Sequence, residues 1–180
     1  MRGLIDSGMK MNETLQEIDR ELPDLLEKED WEALNVDYFP PVVHRVWRQH
    51  GDFRICLHRI FPPEEGVKGL AHPHKWPCAV NILKGQYDSI MGYKWDVELP
   101  LAIGGRIVMS EGSIYEMTLP HQWHDVRPVN CEYVLSLLVM GPLYNTEYEG
   151  MEVKKKLKPL SDRRRKSIID EFKEIYKYEV

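Results

Sequence analysis

Ala71-His72-Pro73-His74-Lys75-Trp76-Pro77-Cys78-Ala79-Val80-Asn81-Ile82-Leu83-Lys84-Gly85-Gln86-Tyr87 is the stretch on which the reading of this chain turns. Two histidines stand two residues apart, and an apolar run closed by a glycine follows. In an extended strand, residues i and i+2 point to the same face. His72 and His74 would then present two imidazoles side by side, as a metal requires of two of its ligands. The pair gains meaning only if the rest of the chain supplies a third ligand and a scaffold.

Outward from this stretch, the chain reads as a series of short strands. Val42 to Trp47, Phe53 to Phe61, Cys78 to Leu83, Gln86 to Gly92, Ile107 to Met109, Ile114 to Leu119 and Tyr133 to Met140 all have strand character. Between them lie turn signals: His50-Gly51-Asp52, Pro62-Pro63-Glu64-Glu65-Gly66, Lys84-Gly85, Gly104-Gly105, Glu111-Gly112 and Gly141-Pro142. Short strands spaced about ten residues apart predict a sandwich or barrel, and the lack of βαβ alternation argues against a parallel sheet. Residues 1–12 read as a loose tail. From Asn12 to Leu34, the apolar residues Leu15, Ile18, Leu22, Leu25 and Leu26 recur at helical spacing, with Pro23 expected to divide two helices. Asn35 to Pro41 reads as a linker. Ser161 is a candidate N-cap for a terminal helix with the stripe Ile168, Ile169, Phe172, Ile175 and Tyr176, expected to lie on the outside of the β unit. The chain is thus divided into a helical segment 1–41, a β unit 42–150 and a C-terminal helix 151–180, in one domain.

With 180 residues, 43% hydrophobic and 29% charged, the chain has the composition of a globular protein with a substantial core. A net charge of -5 argues against nucleic acid as a partner, and acidic residues flank the basic runs Lys154-Lys155-Lys156 and Arg163-Arg164-Arg165-Lys166. Three cysteines, Cys56, Cys78 and Cys131, without metal-type spacing read as reduced thiols. Met1 to Met11 holds no apolar stretch of signal-peptide length, and nowhere do about 18 apolar residues run together. The expectation is a cytoplasmic protein without a membrane partner. Exposed edge strands and terminal helices make a homodimer possible.

A second motif lies downstream in Gly112-Ser113-Ile114-Tyr115-Glu116-Met117-Thr118-Leu119-Pro120-His121-Gln122-Trp123-His124-Asp125-Val126. A glycine turn leads into a strand, then a proline, then a histidine. His72-Pro73-His74 with the run to Gly85 resembles the first motif of the cupins, and Gly112 to His124 resembles their second. Together they cover roughly residues 53–140. The resemblance implies a mainly β fold, a cupin-type double-stranded β-helix or jelly-roll barrel, with N-terminal and C-terminal flanking helices. It also implies His72, His74 and His124 as metal ligands, with His121 a lesser competitor for His124. The sequence departs from the motifs at three points. Cys78 stands where the first motif carries a metal-binding glutamate, Gln122 stands where the second has a glycine, and the proline-to-histidine step is one residue short.

A three-histidine set without the carboxylate resembles the cupin-type thiol dioxygenases and the diketone-cleaving dioxygenases. Three neutral imidazoles leave a divalent ion its full charge, which favours an anionic, chelating small molecule. Fe(II) is the first choice by resemblance, while imidazole ligation also suits Ni, Zn or Cu. Asp125, Glu116 and Asn81 are candidates to orient the ligand rings. Trp76, Cys78, Tyr87, Tyr115, Trp123 and Tyr133 are candidate pocket walls, and Arg54, Arg59 or Arg106 could pair with a substrate carboxylate. His58 shares strand parity with Arg54 and could face the metal, as a further candidate pocket residue supporting the ligands. The resulting expectation is a non-haem dioxygenase acting on a small anionic molecule. The alternatives are a non-catalytic small-molecule-binding cupin, a metal-dependent isomerase or hydrolase, and a metal-free barrel with structural histidines.

Overall fold

The computed structural model describes residues 10–37, 40–67, 69–94, 98, 100–144 and 156–177. The tail 1–9, the expected boundary near Gly150, and Lys154 and Lys155 of the basic run lie outside these residues.

Helix α1 spans Met11–Leu26 and is followed by β1 (Glu32–Val36), β2 (Val43–His50) and β3 (Phe53–Ile60). Next come β4 (His72–Pro73), β5 (Cys78–Lys84), β6 (Gln86–Tyr93) and β7 (Ala102–Ser110). The chain continues through β8 (Ile114–Met117), β9 (Gln122–Pro128), β10 (Val134–Met140), β11 (Lys158–Pro159) and α2 (Asp162–Tyr176). One sheet has the order β11-β1-β2-β3-β10-β5-β8, and the other has the order β4-β9-β6-β7. Every registered pairing is antiparallel. The architecture is mainly β: two antiparallel sheets face each other, and both helices pack on the outer face of the larger one.

The large sheet is covered on both faces. Leu15, Ile18 and Leu22 of α1 and Ile168 and Phe172 of α2 pack on Ile55, Leu57, Ala79, Leu135, Leu137 and Val139. The alternate residues face the small sheet across the barrel interior. They form one cluster around Cys56, Cys78, Val80, Leu138 and Met140, and another around Ile60, Ile82, Tyr87, Met109 and Val126. A strand buried on both faces reads as an unbroken apolar run, which is why β10 is Val134-Leu135-Ser136-Leu137-Leu138-Val139-Met140 and buried throughout.

Several expectations change at the element level, among them Gly104-Gly105, which lies inside β7 instead of marking a turn. Pro23 does not divide α1. It sits in the last turn, where one lost backbone bond is tolerated, and buried Leu22, Leu25 and Leu26 anchor that turn to the core. The helical pattern does not continue to Leu34: Trp31 is buried with Nε1 donating to the Leu25 carbonyl at 3.1 Å, and Glu32–Val36 pairs with β2. Non-local sheet pairing overrides the helical propensity of Glu-Ala-Leu. Finally, Gln122–Pro128, which contains His124, is a full strand between β4 and β6. Ser161 does cap α2, its hydroxyl accepting from the Arg164 amide at 3.4 Å.

Candidate metal centre

The barrel brings its two histidine motifs together across one strand pair. In the short edge strand β4, His72 lies opposite His124 of β9. The edge position removes the objection to Pro73, whose missing N–H would otherwise break a ladder bond. Past the end of β4, His74 keeps its ring stacked on His72, with centroids 5.4 Å apart and an interplanar angle of 15°. The His124 ring approaches His72 at 4.7 Å and His74 at 4.9 Å. One ring nitrogen from each of the three lies within 4.8 Å of the others. His121 stands in the turn before β9, outside this group.

The group fits a divalent ion on three counts. First, Nε2 of His74 and Nε2 of His124 are 3.0 Å apart, the chord that two metal–nitrogen bonds of about 2.1 Å would span at roughly a right angle. Second, the rings are held neutral, as ligands must be. Burial lowers His74 to about 3, helped by His72 and by the guanidinium of Arg45. Burial also drives His124 well below its ordinary value, with His72 and His74 adding to the effect. In His72, burial outweighs the opposing pull of the Leu70 carbonyl and Asp125. Third, the Leu70 carbonyl can only accept, so His72 Nδ1 at 3.1 Å carries the proton and Nε2 is left bare.

The residues expected to orient the rings do other work. Asp125 lies on the reverse face of β9 from His124 and is gripped by Arg127 at 2.9 Å. Glu116 accepts the Asn12 amide at the start of α1, and Asn81 points to Asp19 on the same helix. The actual neighbours of the ligand rings are the Leu70 carbonyl and the Cys78 sulfur, which is 3.3 Å from His74 Nδ1.

Of the expected pocket residues, Trp76 packs by His74 at 6.0 Å between centroids, and Tyr115 by His124 at 6.2 Å. Burial drives the Tyr115 phenol well above its ordinary value, so it remains a hydroxyl. Tyr87 is interior and donates to Ser136 at 3.0 Å, in the cluster that holds Ile60 and Ile82 rather than among the histidines. Trp123 has opposite strand parity to His124 and carries the Lys94 ammonium over its ring at 5.2 Å. It is therefore an outer-face residue.

The arginines need the largest correction. Arg59 shares the parity of Ile55 and Leu57, so it faces α2, pairing with Glu171 at 2.7 Å and stacking on Tyr133 at 5.3 Å. Tyr133 thereby also belongs to the helix side. Arg106 is exposed and paired with Asp88. Arg54 lies at the strand end over Trp47, 4.5 Å from its ring. Arg45 faces inward as well, its Nε donating to His58 Nε2 at 2.8 Å, on the face of the sheet that Arg54 and Trp47 share. His58 is buried at 7% exposure and kept neutral, chiefly by burial and then by Arg45. The alternation Val43, Arg45, Trp47 carried the signal for this inward placement, but it required knowing that β2 is a barrel strand.

No protein-family model matches the chain, and no curated protein matches it. Among solved structures, the cupin domain of Cnp3 from Schizosaccharomyces pombe is similar at 10% identity and a TM-score of 0.41, over 56% of this chain and 64% of that one. KdgF from Halomonas sp. is similar at 15% identity and a TM-score of 0.43, over 63% and 88% of the two chains. Hydroxypropylphosphonic acid epoxidase from S. wedmorenis is similar at 14% identity and a TM-score of 0.44, over 63% and 56%. The chain thus spans less than two thirds of the first and third of these. At such values, the description of the site rests on its sheet topology and its three histidines.

Proposed function

We propose that this chain is a mononuclear non-haem dioxygenase, with Fe(II) the preferred ion, acting on a small anionic molecule. The observation that carries the reading is the charge of the barrel interior. Three neutral imidazoles converge there, Arg45 faces the same space, and strand alternation puts no described carboxylate on that face. A divalent ion held by His72, His74 and His124 would supply uncompensated positive charge, open coordination positions and redox capacity.

The protein's own residues define the rest. Arg45 is anchored through Nε by His58, which directs its remaining guanidinium donors to an anionic group. Tyr115 stays protonated beside His124 and offers a hydroxyl donor to bound substrate. Trp47, Trp76, Met91 and Met140 form an apolar wall that keeps the space dry. Among the described strand residues, no carboxylate general base faces the interior, which favours oxygen chemistry over isomerisation or hydrolysis by acid–base catalysis.

The test begins with metal analysis of the purified protein beside His72→Ala and His124→Ala. Full metal retention in both variants would sink the centre. O₂ uptake with Fe(II) is then followed across thiols, diketones, 2-hydroxy acids and amino acids. Substrate-dependent uptake supports the dioxygenase, whereas a flat response across the panel would replace it with a ligand-binding cupin.

A further inference from the structure

Arg54 stands in the interior row of the large sheet that ends beside the histidines. It is level with Met140, and Met140 is level with Cys78, whose sulfur lies 3.3 Å from His74 Nδ1. On β3 it shares parity with Cys56 and His58, which are buried on the inner face. Arg54 itself is exposed at the strand end, and its guanidinium leans back over the Trp47 ring, 4.5 Å from the centroid.

Arg45 and Trp47 are two residues apart on β2 and share this face, a step of about 7 Å along the strand. Trp47 thus lies between two guanidinium groups, one bonded to His58 and the other stacked on its own ring. Both charges act on the Cys56 thiol, which is paired with Trp47 across the strands. Burial pushes that thiol up to about 11, and Arg45 and Arg54 both work against the rise. Neither arginine pairs with a carboxylate among the described residues, and the described strand residues facing this space include no Asp or Glu. Nε1 of Trp47 and Nε1 of Trp76 are buried beside it without a hydrogen-bond partner among the described residues. The wall therefore presents donors only, with two positive charges that repel each other until anionic groups sit against them.

We propose that Arg54 is a specificity-determining residue and that the substrate is a short dicarboxylate, one acidic group on Arg45 beside the histidines and the other on Arg54, with the intervening chain along Trp47. This rests on the reading of the interior as the site of a small anionic molecule, and it adds a second charge and a spacing. The half-buried Arg45 carries most of the affinity, because solvent screens the exposed Arg54. Arg54 instead selects between ligands that share the first acidic group and differ at the far end.

The experiment is calorimetric titration of the protein as purified with chain-matched pairs, glutarate against valerate and adipate against hexanoate. At low ionic strength the wild type should bind the dianion of each pair roughly 2- to 5-fold more tightly, as a partly exposed ion pair allows. Added salt should bring that ratio toward one. In Arg54→Gln the ratio should be near one even at low salt, and Arg54→Lys should recover part of it. Arg45→Gln should weaken both members of each pair. A ratio of one in the wild type at low salt overturns the proposal, even if Arg54→Gln fails to fold. So does a ratio that survives in folded Arg54→Gln, or no binding of any of the four acids. Absence of metal or of O₂ uptake would instead overturn the dioxygenase reading and leave the ratio to decide the role of Arg54.

Discussion

Arg45 enters the barrel with one described hydrogen bond, to His58, and pairs with no carboxylate among the described residues. A guanidinium in that position is a standing demand for an anion. Replacing it as Arg45→Gln should weaken binding of the anionic substrate by 10- to 100-fold, the loss of about 1.5–3 kcal/mol for a charged hydrogen bond. Metal content should not change, and calorimetric titration beside metal analysis checks both. The ligand histidines make a different prediction. Their pKa values are lowered in the folded chain, whereas unfolded histidine titrates at about 6.5. Below that value the unfolded chain takes up protons that the folded chain refuses. The stabilising contribution of the neutral rings is therefore complete above about pH 6.5 and is lost as pH falls toward the His74 value of about 3. The loss amounts to about 1.4 kcal/mol per pH unit for each group. Urea midpoints of metal-free protein at pH 7.5 and pH 5 should show it, with a smaller difference in His74→Gln. His72 and His74 were singled out by their two-residue spacing and became candidates only with the second motif downstream. Arg45 was not, because an arginine on an isolated strand more often faces solvent, and only the His58 pairing shows which way it turns.

At the scale of elements, Gly69 brings the segment before β4 close against β9. A Cβ on Gly69 would fall 2.2 Å from Asp125 Oδ1, and Arg127 holds that carboxylate by its other oxygen at 2.9 Å. Gly69→Ala should therefore push the segment off β9, at a cost of about 1–3 kcal/mol. The shift would carry the Leu70 carbonyl away from His72 Nδ1, so thermal stability and metal affinity should fall together. Unchanged metal affinity in a destabilised protein would count against this coupling. Most strands and the capped α2 were readable because alternation, glycine turns and an N-cap are local signals. The end of α1, the existence of β1 and the span of β9 depend on partners distant in sequence. Glu32 pairs with Trp47, and Gln122 pairs with Tyr93. Local propensity carries no record of such pairings.

For the molecule as a whole, the large sheet separates two apolar layers with different tasks. The layer between sheet and helices supplies stability, and the barrel interior supplies the site. Phe172 is fully buried in the helix layer. Phe172→Ala should cost about 3–5 kcal/mol, read from chemical denaturation, while the folded protein keeps the metal stoichiometry of wild type. Loss of metal from folded Phe172→Ala would show that the two layers are coupled. Among the described residues, no helix is long and apolar enough to cross a membrane. By itself, the sequence carried the β-rich pattern with flanking helices, because periodicity and turn chemistry are written along the chain, and it named the candidate ligand trio through the resemblance of its two motifs to those of the cupins. The tertiary structure alone decided the side of each element that looks inward. It sent Arg59, Trp123, Asn81 and Glu116 outward, turned Arg45 inward, and put the Cys78 sulfur behind His74. Orientation follows from register between strands far apart in sequence, and a one-residue change of parity moves a side chain from the site to the opposite face.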